Sequence, residues 1–176
     1  MSGSIRSRQW RLSAVGLVVG LLVALGTTPA LAAGTGFTGT YLEKTTFRPC
    51  PAGLPAGAIC FTGVGHGPTV PPGGIGTESY AGYIDPNTLL NGCPVDHNAV
   101  AISTSRGTLF LTTTGSGSAP ACHGPDVGTW QAVGGTGIFA GASGGGTVQT
   151  AILGANSDGT IDSSTTYLGT LNLHGD

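Results

Sequence analysis

Gly134-Gly-Thr-Gly-Ile-Phe-Ala-Gly-Ala-Ser-Gly-Gly-Gly146 holds seven glycines in thirteen residues, with Ile138 and Phe139 as its only large side chains. Glycine reaches positive φ at little cost and lets two backbones approach closely, so this density between extended segments predicts a sharp, tightly packed reversal. Gly134, Gly135, Gly137, Gly141 and Gly144 are the expected bends, with Ile138 and Phe139 as packing anchors. The segment is also loosely like a nucleotide-binding glycine pattern, which works only when a helix N-terminus follows to receive the phosphate. More glycine and an extended run follow here, so no nucleotide and no other cofactor is expected.

Residues 127–133, centred on Trp130, lead into this reversal, and residues 147–153 lead out of it. Asn156-Ser-Asp-Gly159 then marks a hairpin before a last extended run over residues 160–173. Upstream, extended runs over residues 36–47, 60–65, 75–84, 98–103 and 108–113 are separated by turn chemistry. The breaks include Pro49-Cys-Pro51, the proline- and glycine-rich residues 67–74, Asp85-Pro-Asn87 and Ser105-Arg-Gly107. The reading is all-β, with about eight antiparallel strands and no helical periodicity after the N-terminal segment. A sheet of that size disposes of its edges by closing into a barrel or by forming a two-sheet sandwich. Glycines within the strands permit the bends of a barrel wall, so the closed barrel is expected and the β-sandwich is the alternative.

At the N-terminus, Arg6, Arg8 and Arg11 precede an apolar run over residues 12–25, and small residues lead to a cut after Ala32. That pattern reads as a secretory signal peptide over 1–32. The apolar run is about 14 residues, short of the roughly 20 that span a bilayer, so no retained membrane span is expected. Residues 33–176 then form one domain, exported from the cell.

Without the leader the chain keeps Lys44, Arg48 and Arg106 against eight carboxylates, a net charge of −5. A polyanion is repelled by such a protein, so nucleic acid is excluded as a partner. Cys50, Cys60, Cys93 and Cys122 all lie in the exported part, and an even count in an oxidising compartment reads as two disulfides. Three connectivities are open. Pairing Cys50 with Cys60 and Cys93 with Cys122 is favoured, because each bridge then closes a local, turn-rich segment.

Few side chains point to chemistry. His66 sits between glycines beside a proline-rich loop, where an acid, base or ligand near a barrel mouth would stand. Asp96 and His97 beside Cys93, with His123 beside Cys122, would make a zinc set if the cysteines were free. Disulfide formation removes them from that role, and no metal is expected. Asp85, Asp126 and Asp158 read as turn formers. Glu43 and Glu78 fall inside expected strands, so either can point into a barrel as a perturbed acid. Tyr41, Tyr80, Tyr83, Phe61, Trp130 and Tyr167 are core or cavity-lining aromatics.

Trp130-Gln-Ala-Val-Gly-Gly-Thr-Gly-Ile-Phe-Ala-Gly-Ala-Ser-Gly144 resembles the GGTGxFxGAxG signature of dirigent proteins and allene oxide cyclase-like barrels. It is also similar to secreted actinobacterial proteins of unassigned function with the same signature. The resemblance implies an eight-stranded antiparallel barrel, often with a central cavity. It carries no catalytic residue across, because those families act through cavity residues outside the signature that match no position here. The expected function is a secreted, non-catalytic β-barrel that binds a small hydrophobic molecule or a cell-surface component. The alternative is a dirigent-like or cyclase-like enzyme acting on a hydrophobic substrate in the cavity. N-terminal sequencing of the exported protein is expected to begin at Ala33, and retention of Met1 in the exported form would overturn the leader.

Overall fold

A computed structural model describes residues 34–71, 73–116, 122 and 124–173; the expected leader, residues 1–32, lies outside the described residues, as does His123. Eight strands follow one another as β1 (Thr35–Arg48), β2 (Ile59–Val70), β3 (Ile75–Leu90), β4 (Cys93–Thr104), β5 (Gly107–Ser116), β6 (Asp126–Gly135), β7 (Ser143–Ala155) and β8 (Ile161–Asn172). Each pairs antiparallel with the next, and β8 returns to pair with β1, from Thr35 opposite Leu171 to Thr45 opposite Ile161. The sheet is therefore a closed barrel and not a sandwich. Closure gives every strand two partners and leaves no edge.

Alternation along the strands separates inside from outside. On β1, Phe37, Tyr41 and Glu43 are buried while Thr38, Leu42 and Lys44 face outward. On β8, Ser163, Thr165, Tyr167 and Leu171 are buried and Leu168 is exposed.

Several strands run further than their turn signals suggest. β2 continues through Pro68 to Val70: its pairing with β3 ends at Pro68, opposite Ile75, while its pairing with β1 goes on to Val70. Proline has no donor for a ladder, and the pairing with β1 skips Pro68 and Gly67 and resumes at Thr69 opposite Gly39. Asp85-Pro-Asn87 does not end β3 either, because the register shift between Asp85 and Leu89 absorbs it as a bulge.

The barrel has two unlike ends. At the end where β6 meets β7, Phe37, Tyr41, Ile102, Leu109, Trp130, Phe139 and Leu171 form the core. Phe37 meets Trp130 edge-on with ring centroids 5.2 Å apart, and the Trp130 indole N–H donates to the Leu168 carbonyl at 3.1 Å. The opposite end carries both disulfides, Cys50–Cys60 and Cys93–Cys122. The first ties the β1–β2 connection to the start of β2, and the second ties the β5–β6 connection to the start of β4.

The glycine-rich reversal forms the plug of the core end. It contains a single 3-10 turn, Gly137–Phe139, where extended structure and a plain turn were expected. The Phe139 ring is fully buried in the core and Ile138 packs against that core. The turn is tied to the β4–β5 hairpin by Thr136 N–H donating to Thr108 O at 2.8 Å and Ile138 N–H donating to Arg106 O at 3.1 Å. Gly137 has φ +59, and a Cβ there would run into the Arg106 carbonyl oxygen; one at Gly135 would run into that of Thr108. Gly137→Val and Gly135→Val are each expected to lower stability by about 2 kcal/mol or more. Thermal unfolding measures this, and unchanged midpoints would contradict the close approach.

Candidate functional site

Between the core and the disulfide-bearing end the barrel encloses a cavity of about 880 Å³. Its floor includes Tyr167, Glu78 and Val100, and its described rim includes Phe47, Ile59, Pro86, Pro94, Cys122 and Gly124. Phe61, Val148 and Ile152 contribute apolar wall. That volume falls within the range of about 300 to 1,000 Å³ typical of sites for small organic ligands.

Two pairs of carboxyl groups are the cavity's distinctive chemistry. Each pair spans three neighbouring strands and meets over an inward glycine of the middle one. In the first, Glu43 of β1 and Glu78 of β3 both lie opposite Gly65 of β2. A Cβ on Gly65 would come within 2.8 Å of Glu43 Cγ, so only glycine leaves room there. In the second, Asp96 of β4 lies opposite Gly115 of β5, and Asp126 reaches the same place from β6. A Cβ on Gly115 would sit 2.6 Å from Asp126 Oδ1 and 2.8 Å from Asp96 Oδ1, which shows the two carboxyls converging above it.

The pairs are held by neighbouring hydroxyls and an amide. Ser163 Oγ donates to Glu43 Oε2 at 3.0 Å, and the Tyr167 hydroxyl donates to Glu78 Oε1. Asn98 Nδ2 donates to Asp96 Oδ2 at 2.6 Å and to Thr113 Oγ1 at 2.9 Å. The Tyr80 hydroxyl shares a hydrogen bond with Thr45 Oγ1 at 2.5 Å, and the Tyr80 ring meets Phe61 edge-on at 6.3 Å.

Burial is close to complete for three of the acids, with Glu78 at 0%, Asp96 at 6% and Glu43 at 7% exposure, while Asp126 is half-buried. Four buried polar atoms have no hydrogen-bond partner among the described residues: Glu78 Oε2, Asp96 Oδ1, Asn98 Oδ1 and Asp126 Oδ1. Every one belongs to a residue lining this cavity.

Low dielectric and like charge act together on these acids. Burial, then the Glu43 charge, hold Glu78 well above the ordinary carboxyl range. Burial, then the Asp96 charge, push Asp126 up to about 7. Two carboxylates cannot both ionise cheaply in one dry site, so Glu78 and Asp126 each keep a proton to higher pH than an ordinary carboxyl does. Burial also raises Tyr41 to about 12 and moves Tyr167 upward, so both phenols remain neutral donors.

The two glutamates singled out in the sequence, Glu43 and Glu78, both line the cavity. The described histidines, His66 and His97, do not. His66 is exposed on the outer face, where its Nδ1 lies 3.3 Å from Thr77 Oγ1, because β2 alternation turns it away from the interior. His97 stacks on Tyr83 with centroids 5.1 Å apart and is likewise out of phase with the inward Asp96 and Asn98. The cysteines of the imagined zinc set are oxidised to disulfides, and no metal-binding group of acids, histidines and cysteines occurs among the described residues.

Asp85 and Asp158 are turn formers. Asp85 accepts from Asn87 N–H at 2.9 Å and Thr88 Oγ1 at 2.7 Å, and Asp158 accepts from Thr160 N–H at 3.0 Å. Asp126 is not a turn former: it opens β6 and points inward in phase with Trp130. In the sequence Asp96 reads only as part of a zinc set and Asp126 only as a turn former, because residues 91–94 and 115–125 read as irregular, and Asn98, at the start of the expected run 98–103, is not singled out. The available signal was alternation, since Asp96 and Asn98 continue the inward phase of Val100 and Ile102.

No protein-family model matches the chain, and no curated protein matches it. Among solved structures it is similar to the pterocarpan synthase dirigent protein GePTS1, with a TM-score of 0.39 and 16% identity, over 81% of this chain and 94% of that one. The closed barrel stands on the strand pairing, independently of that similarity.

The raised acids set a pH dependence of stability. Asp126 binds its proton more tightly folded than unfolded, so folding takes up protons between its unfolded value near 3.8 and its folded value near 7. Stability therefore falls as pH rises through that window, and Glu78 acts in the same direction. The Asp126 contribution is expected to be a few kcal/mol between about pH 4 and pH 7.5. Asp126→Asn should flatten the slope of unfolding midpoint against pH, and an unchanged slope would contradict the raised Asp126.

Proposed function

We propose that the barrel is an exported receptor for one small organic molecule, with an apolar skeleton and polar substituents, that enters past the disulfide-bearing rim. The observation that carries this reading is the 880 Å³ cavity, on whose lining residues lie all four unpartnered buried polar atoms found among the described residues. A buried acceptor without a donor costs about 1 to 3 kcal/mol, which a complementary ligand relieves. The apolar walls offer Phe61, Val148 and Ile152 to the skeleton, so a wholly hydrophobic ligand fits less well than one bearing donors. Export is consistent with two disulfides, which persist in oxidising compartments.

A second reading, in which the bound molecule is also turned over by proton transfer, is favoured by one observation. Glu78 is fully buried on the cavity lining, is held by the Tyr167 hydroxyl, and keeps its proton to higher pH than an ordinary carboxyl because of burial and the Glu43 charge. A carboxyl so placed is, while protonated, a proton donor to a bound group.

Val148→Trp, which fills the cavity from β7, is expected to abolish ligand retention while the protein remains folded. Native mass spectrometry of protein purified from the medium should show a mass increment that Val148→Trp lacks. Equal retention by both proteins would sink the cavity as the binding site.

A further inference from the structure

The charges that line the cavity are all of one sign. Glu43, Glu78, Asp96 and Asp126 are its titratable acids, and its described lining contains no Lys, Arg or His. The three basic residues of the described chain, Lys44, Arg48 and Arg106, are all exposed, and Lys44 lies 3.9 Å from Asp162 on the outside. Among the described residues nothing inside balances the acids except protons.

Unpartnered oxygens add direction to this charge. Asp96 Oδ1 is buried, without a donor, and converges with Asp126 Oδ1 over Gly115. Asn98 anchors the other Asp96 oxygen, so the free one is held in place toward the cavity. The Phe61 and Tyr80 rings form part of the wall of the same cavity, and aromatic faces attract ammonium groups.

We propose that the cavity selects an organic cation, a molecule with an apolar skeleton and a protonated amine seated between Asp96 and Asp126. The inference rests on the ligand-binding reading above and narrows it to a ligand class. An anion meets four acids with no counter-charge, and a neutral alcohol supplies a donor but leaves the pairs dependent on their protons. An ammonium supplies both donor and charge. It takes the place of the proton that Asp126 holds, which leaves to solvent, so charge in the cavity stays balanced. The other titratable groups facing the seat are Glu78 and Tyr80 from β3, Glu43 from β1 and Tyr167 from β8; the described linings of β2, β5 and β7 add none.

Three probes with one skeleton test this: 4-phenylbutylamine, 4-phenylbutanol and 4-phenylbutyrate, titrated calorimetrically into the disulfide-intact protein. Near pH 8 the amine is expected to bind at least about tenfold tighter than the alcohol, and the acid more weakly than either. Near pH 7, amine binding should release a proton, seen as an enthalpy that depends on the buffer's ionisation heat, whereas alcohol binding should not. The amine's advantage should shrink toward about pH 5, where the acid pairs hold their protons. In the double variant Asp96→Asn, Asp126→Asn the ratio of amine to alcohol affinity should fall to near one. If that variant does not fold, Glu43→Gln with Glu78→Gln is expected to lower the same ratio.

Equal affinity for amine and alcohol, or preference for the acid, overturns the cation proposal and leaves the receptor reading standing. Failure of all three probes at millimolar concentration, together with no retained small molecule, overturns both. Calcium that binds alone and displaces the amine makes the seat a metal site and overturns the proposal.

Discussion

The ladder between β1 and β8, running from Thr35 opposite Leu171 to Thr45 opposite Ile161, is the constraint on which the rest of the structure depends. It joins the first strand to the last and converts a meander into a barrel, so alternate residues of all eight strands share one interior. Glu43 enters that interior on β1 and finds Ser163 on β8, a contact that exists only because the sheet closes. Tyr167 reaches Glu78 across the barrel for the same reason.

Closure also forces two solvents onto one structure. At the core end, aromatic and aliphatic side chains fill the interior, and Phe139 is driven in by a turn whose glycines lie against the carbonyls of Arg106 and Thr108. Toward the disulfides the inward positions carry acids, hydroxyls and an amide, and the interior stays hollow. The inward glycines Gly65 and Gly115 are what make the second half possible, since each leaves a gap into which two carboxyls from flanking strands can turn. Such pairs cost stability when ionised, a cost natural proteins bear chiefly where a site requires it. The disulfides brace the end where the interior is least packed.

Much of the fold was legible in the residues. The even spacing of β-branched and aromatic runs between turn signals gave the strand count, and the glycine-rich reversal fell where β6 turns into β7. Glu43 and Glu78 stood out because each lay in a clear alternating run. Asp96 and Asp126 did not, since each sits at the start of a strand, beside Pro94 or Pro125, where proline and glycine read as loop. Pro68 and Pro86 misled in the same way: local turn chemistry argues for a break, and a closed ladder carries the strand past it or absorbs it as a bulge.

Local chemistry, acting within a few residues, was enough to set strand content, the tight reversal and a chain depleted of positive charge. The pairing of acids across strands was decided only by the tertiary structure. Glu43 and Glu78 are 35 positions apart and Asp96 and Asp126 are 30 apart, and no local pattern links them. They meet because barrel closure and register place each pair on either side of one glycine, where loss of water and nearness of like charge turn ordinary surface acids into a buried site.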